Sequence, residues 1–262
     1  MENDLIVESW SDLQEKLFQN TWDENLNRFR SNFVYRGMED SRHKLETSLM
    51  RIKGPYDLLE RHLLRNFRKY AYKNEIVGNS IWNWLAMAQH HGLPTRMLDW
   101  TYSPYVALHF TTASMRNFDR DGVIWAVDYS RINNYLPDKL ITVIREEGSN
   151  TFTVEMLDSV CTSLSEFDGL QKENFALFFE PPALDERIIN QHALFSLMSS
   201  PKGMLDKWLS QHSELYFRII IPKELKWEIR DKLDQANITE RVLFPGLDGL
   251  SKWLKRHYSQ RS

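Results

Sequence analysis

Only one cysteine, Cys161, occurs in the 262 residues. No disulfide framework within the chain can therefore hold the fold, and a reducing compartment is expected. Long apolar runs are missing as well: nothing approaches the roughly 18–20 residues of a membrane span. The first thirty residues lack the basic and apolar blocks of a signal peptide and carry Glu2, Asp4, Glu8 and Asp12 instead. A soluble, cytoplasmic protein with no membrane partner is the expectation. Charge of one sign is not in excess either. A formal net charge of -3 gives no global electrostatic case for nucleic acid, although it leaves room for a local basic patch. Internal repeats, low-complexity tracts and obvious linkers are absent. So are the Walker A loop and the G-x-G-x-x-G, G-x-S-x-G and H-E-x-x-H signatures. The one close histidine pair, His90–His91, diverges on a helix, so no metal is expected. Cys161 lies in a polar, uninformative context and reads as a packing residue rather than a nucleophile.

What is present is core-forming material. Hydrophobic residues make up 42% of the chain and aromatic ones 13%, which excludes a disordered protein. Ser11 with Gln14 three residues on is a capping-box pattern, and Leu13, Leu17 and Phe18 give an apolar face, so a helix is predicted over about 10–20. Asn32–Arg36 reads as a short strand ending at Gly37. Tyr56, Leu59, Leu63, Phe67 and Tyr70 recur at three- and four-residue steps, which predicts a long amphipathic helix from Pro55 to about Ile76. Its other faces carry Arg61, Arg65, Arg68, Lys69 and Lys73. Ser80 caps a further helix through Ala88, and Ser103–Pro104 opens another. Strands are predicted at Gly122–Tyr129, Asn174–Phe179, Ala193–Met198 and Leu215–Ile221. Residues 131–170 read as helical in part. Helices from Pro222 to about Gln235 and near 247–257 close the chain. This order gives an α+β fold: one domain over residues 1–262, core about 30–255, with a helical N-terminal half and a mixed or antiparallel sheet built mainly from the second half.

The chain is organised around Gln89–Ala113, Q-H-H-G-L-P-T-R-M-L-D-W-T-Y-S-P-Y-V-A-L-H-F-T-T-A. Gly92 and Pro94 punctuate it as a turn. Imidazole, guanidinium and carboxylate groups this close together exceed what core filling requires. If the segment lies inside, Arg96 and Asp99 need partners. Two further stretches stand out: Tyr35-Arg36-Gly37 at a strand end, and Glu186-Arg187-Ile188-Ile189-Asn190-Gln191 leading to Phe195.

V-Y-R-G, taken with Q-H-H-G-L-P-T-R-M-L-D-W-T-Y-S-P-Y-V-A-L-H-F, closely resembles the FRG domain, named for its (F/Y)-R-G motif. R-I-I-N-Q-H-A-L-F is similar to that family's R-I-x-x-Q-x-G-x-F element, with Ala193 where glycine is usual, and L-F-P-G-L-D-G-L also fits. The resemblance spans roughly Phe33 to Leu250. A second, weaker resemblance is to ADP-ribosyltransferases of the Arg-Ser-Glu type, which implies an ADP-ribosyltransferase-like fold with NAD as substrate and no metal. By that analogy Arg36, between Tyr35 and Gly37, clamps the pyrophosphate, a bidentate task that suits guanidinium. Thr95 or Thr101 takes the middle position, and Trp100 or Tyr102 stacks on nicotinamide. Arg96 and Asp99 belong to the same cofactor-binding set. Gln191 stands where a catalytic glutamate is expected. A glutamine cannot stabilise an oxocarbenium ion by charge or act as a base, so Glu180, Glu186, Asp99 or His91 would have to supply that function.

Two classes of function follow. One is an enzyme that cleaves NAD and moves ADP-ribose to a macromolecular acceptor, nucleic acid or protein, as a toxin or antiphage effector with an antitoxin or regulatory protein as partner. Its catalytic set is Arg36, His91 and Gln191; cleavage without transfer is a variant. The other is a non-catalytic module whose polar pocket takes a nucleotide, a peptide or a nucleic-acid end. Each residue also has a structural reading: Arg36 pairs with Asp99 to tie the early strand to the central turn, Gln191 bonds buried backbone, and the basic side of the 55–76 helix is a solvated face rather than a phosphate track.

Overall fold

In a computed structural model, residues 3–71, 78–183 and 185–260 are described. Strand β1 (Asp4–Ile6) leads into helix α1 (Trp10–Leu17). Its cap lies two residues before the predicted one. Ser9 accepts from the Asp12 amide, and Asp12 accepts from the Glu8 amide at 2.7 Å, a reciprocal arrangement that leaves Ser11 and Gln14 on the helix. A small hairpin, β2 (Trp22–Asp23) with β3 (Arg28–Phe29), precedes β4 (Phe33–Met38). The amphipathic helix α2 runs from Tyr56 to Ala71, and the predicted extension over 72–76 lies outside the described residues. Helix α3 (Ile81–His90) is capped by Ser80, as predicted.

The segment after the Gly92–Pro94 turn is a strand, β5 (Met97–Thr101), before α4 (Pro104–Thr111) with Ser103 as cap. β6 (Gly122–Asp128) is buried throughout, which its apolar run requires of a central strand. Four short helices follow: α5 (Tyr129–Ile132), α6 (Asp138–Glu146), α7 (Val154–Val160) and α8 (Leu164–Asp168). Then come β7 (Ala176–Phe179), α9 (Glu186–Asn190), β8 (Ala193–Met198), α10 (Leu205–Leu209) and β9 (Tyr216–Ile221). Helices α11 (Lys226–Gln235), α12 (Glu240–Leu243) and α13 (Leu247–His257) complete the chain.

Among the described residues the main sheet has the order β1-β9-β6-β4-β5-β8-β7, with β1 parallel to β9 and the other neighbours antiparallel. The fold is α+β. The first half contributes more of the sheet than its sequence suggests, since β1, β4, β5 and β6 all precede residue 131. No helix among the described residues is long and apolar enough to cross a membrane.

Strand alternation sorts the core. One face of the sheet carries Val34, Leu98, Trp100, Trp125 and Leu194, packed against Trp208 of α10. The other face is covered by two groups of helices. Over β4, β6 and β9 lie α1, α4 and α11; over β8 and β7 lie α2, α3, α6, α7 and α8. The seam between these groups falls above β4 and β5.

A set of buried charges holds α4 to the C-terminal helices. His109 Nδ1 stands 2.8 Å from Nη1 of the fully buried Arg230. Arg230 also pairs with Asp234, and Arg256 bridges Asp234 and Glu240. Burial pushes the His109 pKa down to about 3, with Arg230 adding to the shift, Glu240 opposing it and Arg256 adding again. The ring is therefore neutral and accepts from Arg230. Because the folded pKa lies below the ordinary 6.5, the unfolded chain takes up the proton first. This contribution to stability is complete above pH 6.5 and is lost as pH falls from there towards 3. The loss at pH 5.5 is about 1.4 kcal/mol relative to neutral pH. Melting curves at pH 7.5 and 5.5 should show a steeper fall for the natural chain than for His109→Asn, which keeps an acceptor but cannot titrate. Equal falls would contradict the neutral-acceptor assignment.

Candidate functional site

Strands β4 and β5 pair through a single register position, Tyr35 opposite Thr101. Beyond it they part, and a cleft of about 220 Å³ opens over the seam. Alternation places Arg36 on the face of Val34 and Met38. Its Nη1 nevertheless donates to the main-chain oxygen of Asp99 at 2.5 Å, so the guanidinium fills the gap where the ladder fails. The Asp99 carboxylate stands 4.0 Å from the same nitrogen, and Arg36 Nε is buried with no partner among the described residues. Burial pulls the Arg36 pKa down; Asp99 opposes the shift and Arg51 adds to it. A guanidinium with an unused buried donor is costly unless something accepts from it.

Asp99 belongs to a short relay. Gln89 Nε2 donates to both carboxylate oxygens at 3.1 Å, and Gln89 Oε1 accepts from Thr95 Oγ1 at 2.5 Å. The strand sets Asp99 over the cleft, and the last turn of α3 orients its carboxylate. Thr101 is buried at the cleft wall; its hydroxyl donates to the Gln191 main-chain oxygen at 2.6 Å and accepts from the Ser103 amide. His90 lines the cleft and meets Asp185 at 2.7 Å. Burial lowers its pKa, and Asp185 opposes that shift. Phe110, Arg187 and Ile188 complete the walls, the Arg187 guanidinium lying 5.1 Å from the Phe244 ring.

Comparison with known families is decided by the same stretch. The family model of the FRG domain matches residues 31–120, which span β4, the Gln89–Thr101 block and α4. The chain contains an FRG domain. Searches of curated proteins and of solved structures gave no match. The FRG match ends before the R-I-I-N-Q and L-F-P-G-L elements, although Arg187, Ile188 and Gln191 close the cleft from the opposite side.

The fold brings together Tyr35, Arg36, Gly37, Asp99, Trp100, Thr101 and Gln191 of the sequence-derived set. It does not bring the others there. His91 is exposed beside Phe67, because one step along a helix turns a side chain by about 100° and His90 takes the inward position. Arg96 is spent in a buried triad. Its Nε and Nη2 bond Glu60 of α2 at 2.5–2.9 Å, and Nη1 bonds Asp168 of α8 at 2.5 Å. Thr95 acts behind Gln89, outside the cleft. Trp100 contributes backbone only, since its ring turns to the opposite face, where Nε1 donates to Ser196 at 2.8 Å. Tyr102 points elsewhere, its hydroxyl donating to Glu180 at 2.9 Å, and this also accounts for Glu180. Glu186 is exposed on α9 and does not line the cleft. Gln191 sits at the C-cap of α9 rather than in a strand, and its amide donates to the Leu243 oxygen at 2.9 Å. Cys161 is buried, with its thiol pKa pushed up to about 11 by burial, so it packs and does not react.

Sequence pattern alone does not assign Gln89, His90, Phe110 or Arg187 to the site. Each lies inside a block marked by its composition, so block membership is the signal and helical phase is the missing fact. Gly37 has a different cause from the one its motif suggests. An added Cβ would lie 1.7 Å from the Ala107 carbonyl oxygen of α4, so the close approach is made by a helix, not a ligand. Among the described residues, no group of three or more His, Cys, Asp or Glu side chains is placed to hold a metal ion.

Proposed function

We propose that the cleft binds NAD and that the chain is an ADP-ribosyltransferase-like enzyme acting on a macromolecular acceptor, nucleic acid or protein. The observation that carries this reading is Arg36: a guanidinium in a strand gap, with one buried donor unused and an aspartate opposite it. A diphosphate would accept from that donor. Asp99, oriented by Gln89, is the carboxylate at the cleft and takes the part that Gln191 cannot. In the reaction the bond between nicotinamide and ribose C1′ breaks, and nicotinamide leaves with the bonding pair. The oxocarbenium charge that develops is countered by the Asp99 carboxylate. An acceptor oxygen or nitrogen then bonds C1′, and its proton passes to Asp99 or to solvent.

One observation favours the rival reading, a pocket that binds a nucleotide without chemistry: the Gln191 amide is committed to the Leu243 oxygen. Calorimetric titration with NAD and NAD-dependent labelling, measured on the same preparations, separate the two. Arg36→Lys keeps the charge but loses the fork, and should cut labelling about 100-fold, given roughly 1.5–3 kcal/mol for each charged hydrogen bond. Asp99→Asn should bind NAD and fail to label. Gln191→Ala should lower the melting temperature and leave labelling in place. NAD binding without labelling of protein or nucleic acid by the natural chain would leave the binding module standing, and no NAD binding would remove both.

A further inference from the structure

A larger groove, about 660 Å³, lies at the other end of α3 from the cleft. One wall is α2, which presents Arg61, Arg65, Arg68 and Lys69 along a single stripe. The floor is apolar: Leu64, Ile81, Trp84 and Leu164. Asn79, Ser163 and Ser165 form the facing wall. Among the described residues, no carboxylate lies within salt-bridge distance of any of the four cations. Glu60 on α2 is turned inward to Arg96, and Glu166 on α8 is turned back on Thr162. The other carboxylate of α2, Asp57, is engaged by Lys202 at 2.8 Å, and Arg68 lies over the Trp84 ring at 5.6 Å, so among the described residues the α2 wall presents cations without a countering carboxylate.

The Glu60–Arg96–Asp168 triad gives this arrangement its rigidity. Arg96 grips α2 through Glu60 and α8 through Asp168, so one buried side chain holds both walls of the groove at a fixed distance. The arginine of the central block, which plays no part in the cleft, is thus employed here.

We propose that this groove binds a single-stranded nucleic acid, phosphates along the α2 stripe and bases over the apolar floor. Charge complementarity selects a polyanion. The stripe spans about 12 Å, from Arg61 to Lys69 at 1.5 Å per residue, which suits a few phosphates in succession rather than the face of a duplex. The combination of cations on one side and apolar surface on the other fits a strand whose bases are free to turn inwards. Helix α3 runs from Ile81 at the groove to His90 at the cleft. Binding itself does not depend on the NAD reading.

The experiment is fluorescence anisotropy of a labelled 12-nucleotide single strand with the full chain, titrated at several salt concentrations. Binding should weaken with salt. Arg61→Gln, Arg65→Gln and Arg68→Gln combined should make the log–log slope shallower by about 2, at roughly 0.7 for each phosphate that is no longer neutralised. Arg61 and Arg65 are exposed and Arg68 lies over the Trp84 ring at 5.6 Å, so Arg61→Gln with Arg65→Gln alone should leave the melt unchanged and make the slope shallower by about 1.4. Ser165→Glu, a charge placed on the facing wall, should also weaken binding. An unaltered slope in the triple variant would overturn the proposal. So would equal binding of a duplex of the same length, or a preference for poly-glutamate or anionic vesicles that disappears in the same variants. No binding by the natural chain would overturn it while leaving the NAD assay unaffected.

Discussion

Gly37→Ala should lower the melting temperature by about 6–12 °C, a large effect for a single methyl group. Gly37 is not among the residues with positive φ, so alanine is compatible with its backbone. The obstacle is space alone. The new Cβ would sit 1.7 Å from the Ala107 oxygen, 2.7 Å from the Ala107 carbonyl carbon and 3.2 Å from the Phe110 Cβ. Two of these atoms are main chain within a helix, so no rotamer change relieves the clash and α4 must lift from β4. Overpacking of this sort typically costs about 1–3 kcal/mol. With a rigid wall the upper value applies, and about 2–4 °C per kcal/mol converts it. Gly148→Ala is the informative control. Its φ is 61° and nothing lies within 4 Å of its Cβ position, so the cost there is conformational, about 1 kcal/mol. Thermal melts of the two variants distinguish the mechanisms. Equal, small shifts would mean that α4 does not press on β4.

Arg96→Met is expected to cost about 3–5 kcal/mol, the penalty for leaving a buried charge without its partner. The side chains of Glu60 and Arg96 are each only 3% exposed, whereas Asp168 is 27% exposed. Water can therefore reach Asp168 once the guanidinium is gone, but not Glu60. Glu60→Leu alone should also destabilise, because Arg96 then keeps only Asp168. The double variant Glu60→Leu, Arg96→Met removes both charges and should recover most of the loss, since apolar replacement of a buried pair is often close to neutral. Denaturant unfolding of the two single variants and the double gives the coupling directly. A double variant no more stable than the sum of the singles would rule out the paired-charge account.

Most of the elements and part of the site are legible in the sequence. Caps and periodicity mark α3, α4 and the amphipathic part of α2, and the β-branched run of β6 is plain. β5 is not, because Gly92, Pro94 and the polar residues around them signal a turn. The alternation of Met97, Asp99 and Thr101 against Leu98 and Trp100 matters only once a sheet is known to lie on both sides. The motif residues are visible as blocks, but their assignments depend on facts of phase and distance. His90 and His91 differ by one helical step. Arg96 meets Glu60 and Asp168, which are 36 and 72 positions away, and nothing local announces such partners. The sequence allows Arg36 to pair with Asp99, and in the fold that approach runs chiefly to a main-chain oxygen.

The parallel pairing of β1 with β9 carries a consequence for how the protein is made. Asp4 and Arg218, joined by a two-pronged ion pair at 2.6–2.7 Å, are 214 positions apart. During synthesis β1 emerges well ahead of β9 and must wait for most of the sheet before its partner exists. Val7, buried in the finished molecule and bonded through its amide to the Ile220 oxygen, is exposed for that whole interval. Closing so long a loop also places this edge among the slow, non-local steps of folding. Pairing of this edge is thus among the later steps by which the sheet is completed.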